Sequence, residues 1–442
     1  MKKTIQTILV ALIIPSMVLA IEFEYSFWGS TMEKKANEEA VAAFMNENPG
    51  VTVKIRHIPK GYREKIMTAL ARGSGPDVGY VSGDPITYYE DGLIEDLDVI
   101  YKTDEEVRER MEYIIHRKGG KVIATSMCLV HYVLFYNKDL LDKANVSYPP
   151  SKWRDAWTWD EYVDVAKTLT LDGNGNNAHS PNFDPNDVQQ YGTMEYTNAP
   201  PRGPVMAYLY SNGGQQVNDE GTKLVLDSQE SIEVFQNMQD LIYKHHAAPK
   251  PGVALTVNKM GRGGGLQRGN IAMMVHGTYN VLDLNSREGL KWGMGVMPYY
   301  KRPTTVGGCG TMAIYKGAKH RDTLIKFIKF MATPENNVLF KNGLWLPNRW
   351  TDYLNPKNIS KWIDAIPATY GSEARDVLVD YTILSMGMNA RKNPQMTVEG
   401  YDIMWRKCMN PMIDDIFSGK RRAAEVLRDV VGKCSSMLKG LR

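Results

Sequence analysis

The chain has 442 residues, too long for one ordinary hydrophobic core and suited to two lobes. Its formal charge is +3, and cleavage of the basic N-terminus would leave 51 basic against 50 acidic side chains. That balance excludes a nucleic-acid or anionic-membrane binder as the natural reading.

Residues 1–20 read as a signal peptide, with Lys2-Lys3, an apolar run from Ile8 to Ile14 and the small-residue site ending at Ala20. The run is too short to span a bilayer and meets Pro15, so cleavage after Ala20 and release into the periplasm are expected, with no stable membrane anchor. The next residue, Ile21, is not a lipidated cysteine.

From residue 22 strand and helix patterns alternate. A strand at 22–27 ends at Trp28-Gly29-Ser30-Thr31, and a helix at 32–46 puts Ala36, Ala40, Val41 and Phe44 on one face. A strand at 51–55, a helix at 61–72 and a strand at 78–81 follow, then Ser82-Gly83-Asp84-Pro85. This order predicts an α/β lobe with a mainly parallel sheet, whose strand-end loops line a crevice. Trp28–Ser30 and Ser82–Asp84 therefore share one site by topology.

The stretch 120–141, GKVIATSMCLVHYVLFYNKDLL, opens on a Gly-Gly turn and reads as two buried strands interrupted near Thr125-Ser126. Such a segment can serve two sheets. Thr158-Trp159-Asp160-Glu161 is a capping box opening a helix to about residue 171. Asp172, Asn174 and Asn176 begin like a calcium loop, but Asn177 holds the glycine position and the closing glutamate is missing, so a plain loop is expected. Ser228 caps a helix to Tyr243, His245 and His246 point apart, and the glycine-rich 261–265 is a flexible loop without the ending of a phosphate loop. A strand through Ala272-Met273-Met274 leads to His276-Gly277-Thr278-Tyr279; later come a strand at 312–315, helices at 320–332 and from Thr333-Pro334, and a terminal helix at 421–438.

No CxxC or zinc spacing joins the four cysteines. Cys434 lies on an apolar stripe as a buried thiol. Cys128 and Cys309 fall in the crossing segments, where an oxidising compartment permits a bridge; a Cys408–Cys434 bridge is left open.

The segment 120–141, ending Tyr136-Asn137-Lys138-Asp139-Leu140-Leu141, resembles the first hinge crossing of the extracytoplasmic solute-binding proteins of carbohydrate ABC importers, the maltose-binding-protein-like family. So do the basic-Gly turn at Arg268-Gly269, the Ala-Met strand, Gly277-Thr278-Tyr279 and Thr305-Val306-Gly307-Gly308. The resemblance spans nearly the whole chain after residue 20. It implies a type II periplasmic-binding-protein fold, two α/β lobes joined by a multi-strand hinge. The expected lobes are 21–127 with 297–332 and 128–296 with 333–442. Further crossings are expected at 292–298 and at Thr333-Pro334.

The resemblance also implies a receptor that closes on a sugar, oligosaccharide or polyol and delivers it to the permease subunits, as a monomer without cofactor or metal. Carried over by position, the ligand contacts are Trp28, Ser30, Ser82, Asp84, His131, Glu195, Tyr196, Tyr279, Gly308 and Trp405. Where the family has charged residues beside these, this chain has Thr31, Pro85 and Val130, so maltodextrin specificity is not carried over. Several candidates also fit plainer roles: Trp28 and Tyr279 as packing, Asp84 as a turn former before proline, Glu195 as surface charge, His131 as a core residue. Two other classes stay open. A glycoside hydrolase would pair Asp84 with Glu195, and a ferric-binding protein would use Tyr88-Tyr89 or Tyr299-Tyr300.

Overall fold

A computed structural model describes residues 20–111, 114–195, 203–258, 261, 263–306, 308–367, 370–388 and 394–441. All of the expected signal peptide but Ala20 lies outside them. The strands of the two large sheets are, in chain order, β1 (Ile21–Phe27), β2 (Val51–His57), β3 (Val78–Tyr80), β4 (Ile115–Lys118), β5 (Lys121–Val130), β6 (Tyr132–Asn137), β7 (Leu171–Asp172), β8 (Val188–Glu195), β9 (Ile271–Gly277), β10 (Trp292–Gly295) and β11 (Gly308–Ile314). The first sheet runs β2-β1-β3-β11-β5-β4 and the second β10-β6-β9-β8-β7.

Local sequence explains the first sheet directly. Phe23, Tyr25 and Phe27 alternate into its core, where Phe23 meets Phe44 edge-on. Phe44 belongs to the helix Thr31–Glu47, which starts where Ser30 and Glu33 form a reciprocal capping box. β1 pairs in parallel with both β2 and β3, so their C-terminal ends share one edge. In the second sheet β8 and β9 are parallel and also end together, at Glu195 and Gly277.

β5 stays in the first sheet to Val130, and β6 starts at Tyr132 in the second, so His131 alone separates them. The expected break at Thr125-Ser126 is instead a bulge: β5 carries one extra residue between Ser126 and Leu129 against β11. The other two crossings also lie later than the sequence suggested. Trp292–Gly295 pairs with β6 as an edge strand, and the chain changes sheet between Val306 and Gly308. The helix Val338–Lys341 still covers the first core through Leu339 and Phe340; the apolar side chains change cluster between Trp345 and Leu346. The three crossings lie side by side: Gly308 pairs with Val130, and Leu129 and Leu346 exchange backbone hydrogen bonds at 2.8 and 3.2 Å.

One local expectation is corrected. The glycine-rich stretch forms a short buried helix, Gly264–Arg268, because glycine lets it press against Val257 and Ile271. Asp172 closes its own loop, accepting the backbone N–H groups of Asn174, Asn176 and Asp184.

Cysteine pairing also departs from expectation. Cys434 is not a lone thiol: it is bonded to Cys408, 26 residues earlier, joining the turn Trp405–Met409 to the terminal helix Ala423–Cys434. Cys128 is buried in the first core, and the side chain of Cys309, its suggested partner, lies outside those described. Closing a loop of that length restrains the unfolded chain by about 3 kcal/mol. Cys408→Ser with Cys434→Ser should lower the urea midpoint accordingly, and reductant should then have no further effect. An unchanged midpoint would contradict the bridge.

Candidate functional site

The first sheet supplies one wall. Trp28, half-buried at the end of β1, rests on the edges of Tyr62 and Tyr80, with ring centroids 5.1 and 4.7 Å away. Ser30 is exposed, and its hydroxyl oxygen accepts the Glu33 N–H at 3.2 Å as a helix cap. The carbonyl of half-buried Ser82 accepts the Tyr88 hydroxyl at 3.3 Å. Asp84 is only 1% exposed. Its carboxylate caps the helix Pro85–Glu90, accepting the Ile86 N–H at 3.0 Å and the Thr87 hydroxyl at 3.1 Å. The Asp-Pro pair thus acts as a helix start, with Asp84 buried as its cap.

The second sheet carries the next candidates. Glu195, at the end of β8, is buried. It accepts the Tyr162 hydroxyl at 2.6 Å and the Tyr208 hydroxyl at 3.3 Å. Burial pushes its carboxyl up to about 7, and the two tyrosine hydrogen bonds only partly offset that. Behind it Trp159 stacks on Tyr300 at 4.9 Å and meets Tyr208 edge-on at 5.2 Å. Tyr196, the next residue, lies outside the described residues.

Tyr279 follows β9 on a short turn. Its ring folds back over Gly277, where a Cβ would come within 2.2 Å of it, so only glycine fits. The ring meets His276 edge-on at 5.2 Å and also packs against the core under the first sheet. Tyr279 therefore belongs to one sheet by sequence and touches the other. Trp405 is half-buried against the second core at the start of a π-helical turn, a distortion common where helices carry function.

His131 and Gly308 lie at the floor, where the crossings run. Gly308 contributes backbone pairing to Val130. His131 is 1% exposed, its carbonyl accepts the Thr278 N–H at 2.8 Å, and its ring nitrogens have no hydrogen bond of good geometry. Burial holds the imidazole near 4, opposed only by a weak contact with the Val306 backbone, so the ring is neutral.

Topology thus leaves Trp28, Ser82, Glu195 and Tyr279 at or just beyond the C-terminal ends of strands, His131 between β5 and β6 and Trp405 on a helical turn of the second core, while Ser30 and Asp84 serve as helix caps. Sequence reasoning missed Arg63, Asp402 and Arg406. Asp402 accepts from Arg63 at 3.0 Å and from Arg406 at 2.9 Å, joining helices that belong to different cores. Separated by 339 residues, Arg63 and Asp402 carry no sequence signal of their meeting. The tyrosine pairs weighed for iron fall in opposite cores: Tyr88 is a packing residue of the first and Tyr300 packs on the second. Two surface hollows of about 550 and 410 Å³, lined around Tyr243 and Gly213, contain none of the candidates.

The sequence profile of the family described as bacterial extracellular solute-binding protein matches residues 29–338. The chain is 25% identical over 219 residues to an arabinooligosaccharide-binding protein of Halalkalibacterium halodurans, covering 48% of this chain and 44% of that relative. It is 22% identical over 422 residues to a putative binding protein of Brucella abortus, covering 91% of this chain and 89% of the other. Among solved structures, the ABC substrate-binding protein Lmo0181 from Listeria monocytogenes in complex with cycloalternan superposes with a TM-score of 0.75 at 21% identity, over 94% of this chain and 98% of that one. Maltose-bound MalE3 of T. maritima gives 0.71 at 22% identity, over 94% and 99%. At these identities the structures establish the fold, the type II arrangement of two α/β lobes joined by a hinge. With the profile matched over well more than half its length, the chain belongs to the bacterial extracellular solute-binding protein family.

Proposed function

We propose that the protein is a periplasmic receptor that closes on a sugar, oligosaccharide or polyol and delivers it to the permease subunits of an ABC importer. The observation that carries this reading is that half-buried aromatic side chains leaving different sheets, Trp28 after β1 and Tyr279 after β9, pack against the same first core, while Glu195 is buried at the end of β8. Aromatic faces cover the C–H surfaces of a sugar ring, and a carboxyl held among hydroxyl donors bonds its hydroxyls strongly. The arabinooligosaccharide and cycloalternan named for the relatives point to the same ligand class. In this reading the mature chain is a monomer that starts after Ala20. The lobes are 21–130 with 308–345, and 131–306 with 346–441, which shifts the sequence-drawn boundaries to follow the strands. Ligand favours the closed state by no more than its preference for that state over the open one.

A glycosidase needs two free carboxyl groups across the bond it cuts. Asp84 is occupied as a cap, which leaves Glu195 without the partner the sequence offered. New reducing ends on incubation with oligosaccharides would overturn the receptor reading.

Near pH 7 Glu195 is about half protonated, so it can donate to a ligand as well as accept from one. Folding raises its affinity for a proton. Its stabilising contribution is complete below about pH 4.5 and is lost as pH rises through about 7. The stability difference between the wild type and Glu195→Gln, read from urea unfolding at successive pH values, should therefore change by about 3 kcal/mol across that window. A constant difference would contradict the protonated, buried state. In a thermal-shift screen of sugars and polyols, at least one should raise the melting temperature. Tyr279→Ala and Trp405→Ala should each weaken binding of that compound roughly tenfold or more while remaining folded. A flat screen would contradict the proposal.

A further inference from the structure

The cleft is spanned by an ion triad as well as by packing. Arg63 lies on the helix Tyr62–Ala71, anchored in the first core by Tyr62 and Ile66. Asp402 lies on the helix Tyr401–Met404, anchored in the second core by Tyr401 and Met404. Arg63 Nη1 donates to Asp402 Oδ2 at 3.0 Å, and Arg406 donates to the same oxygen through Nε at 3.1 Å and Nη2 at 2.9 Å. The Asp402 side chain is 5% exposed and that of Arg63 17%. Such a pair is screened far less than one on the open surface.

Both halves are held in place. On the first lobe Arg63 lies against the Ser82 carbonyl at 3.5 Å, and its guanidinium is 5.8 Å from the centre of the Tyr88 ring. Gly83 leaves it room, since a Cβ there would fall 2.1 Å from Nη1. On the second lobe Arg406 and Cys408 share the π-helical turn, and the bond from Cys408 to Cys434 ties that turn to the terminal helix.

We infer that Arg63 and Asp402 form a latch across the cleft, which fixes how far the ligand-free receptor closes and so sets its affinity. Opening the lobes separates Arg63 from Asp402 but leaves Asp402 on Arg406, four residues away in its own helix. The aspartate is thus never stranded as an unpaired buried charge, and the latch can release without a large barrier. A ligand that closes the cleft gains the Arg63–Asp402 pair in addition to its own contacts. The inference rests on the reading that the two lobes close, but its test needs no ligand.

Small-angle scattering on the ligand-free full chain reads it. Arg63→Gln, which leaves Asp402 paired with Arg406, should enlarge the radius of gyration and raise the open population roughly 5-fold or more. Because the pair is screened so little, molar salt should open the wild type much less than Arg63→Gln does, and leave the variant unchanged. Arg63→Lys should restore part of the closure through its charge, a recovery that loss of packing would not show. A radius equal to wild type in Arg63→Gln, at low and high salt, would overturn the latch. That result would leave the receptor reading standing, because the sugar screen does not depend on Arg63.

Discussion

The structure depends on how the backbone passes between two sheets without leaving a peptide group unpaired. At His131 the chain leaves one ladder and enters another within a single residue. Buried N–H and C=O groups need partners, and each crossing finds them in its neighbours. Leu129 bonds to Leu346, Val130 pairs with Gly308, His131 exchanges hydrogen bonds with Thr278, and Tyr132 accepts from Thr305. Three segments locked in this way cannot slide past one another. They can bend together, which is what a hinge requires.

That constraint also builds the site. Because only His131 separates β5 from β6, the two sheets are tied closely together, and in the proposed reading Trp28 and Ser82 stand on one side of the cleft and Glu195 and Tyr279 on the other. The polar groups enclosed there respond by losing charge. The His131 imidazole is neutral, and Glu195 holds its proton to about pH 7 because two tyrosine hydroxyls replace only part of its hydration. Asp402 is a buried carboxylate shared by two arginines, Arg63 and Arg406, from opposite lobes. Aromatic surface and neutral hydrogen-bonding groups at the crossings, with charge gathered into one triad, suit a ligand rich in hydroxyls.

Much of this was legible in the sequence because it is local. The β1 alternation, the capping box at Thr158 and Glu161 and the cap at Ser228 all appear where the pattern put them. What failed was of two kinds. Asp84 before Pro85 satisfies both a ligand contact and a helix start, and only burial separates the two. The later crossings were misplaced because an edge strand such as Trp292–Gly295 and a covering helix such as Val338–Lys341 look, residue by residue, like departures from their lobes. Pairings over long separations left no trace at all. Nothing in the composition of Arg63, Asp402, Cys408 or Cys434 shows which residue each will face, and Trp159 was readable as a helix starter but not as the plate beneath Tyr300.

The central claim is that two rigid lobes rotate about the crossings at His131, Val306–Gly308 and Trp345–Leu346. Spin labels at Glu39 and Arg428, exposed on helices of opposite lobes, would measure it by double electron–electron resonance. Control pairs within each lobe are Glu39 with Lys326 and Arg428 with Lys223, all exposed. The account predicts that the sugar with the largest thermal shift shortens the distance between lobes and leaves both control distances unchanged. An unchanged distance between lobes, or control distances that move as far, would contradict it.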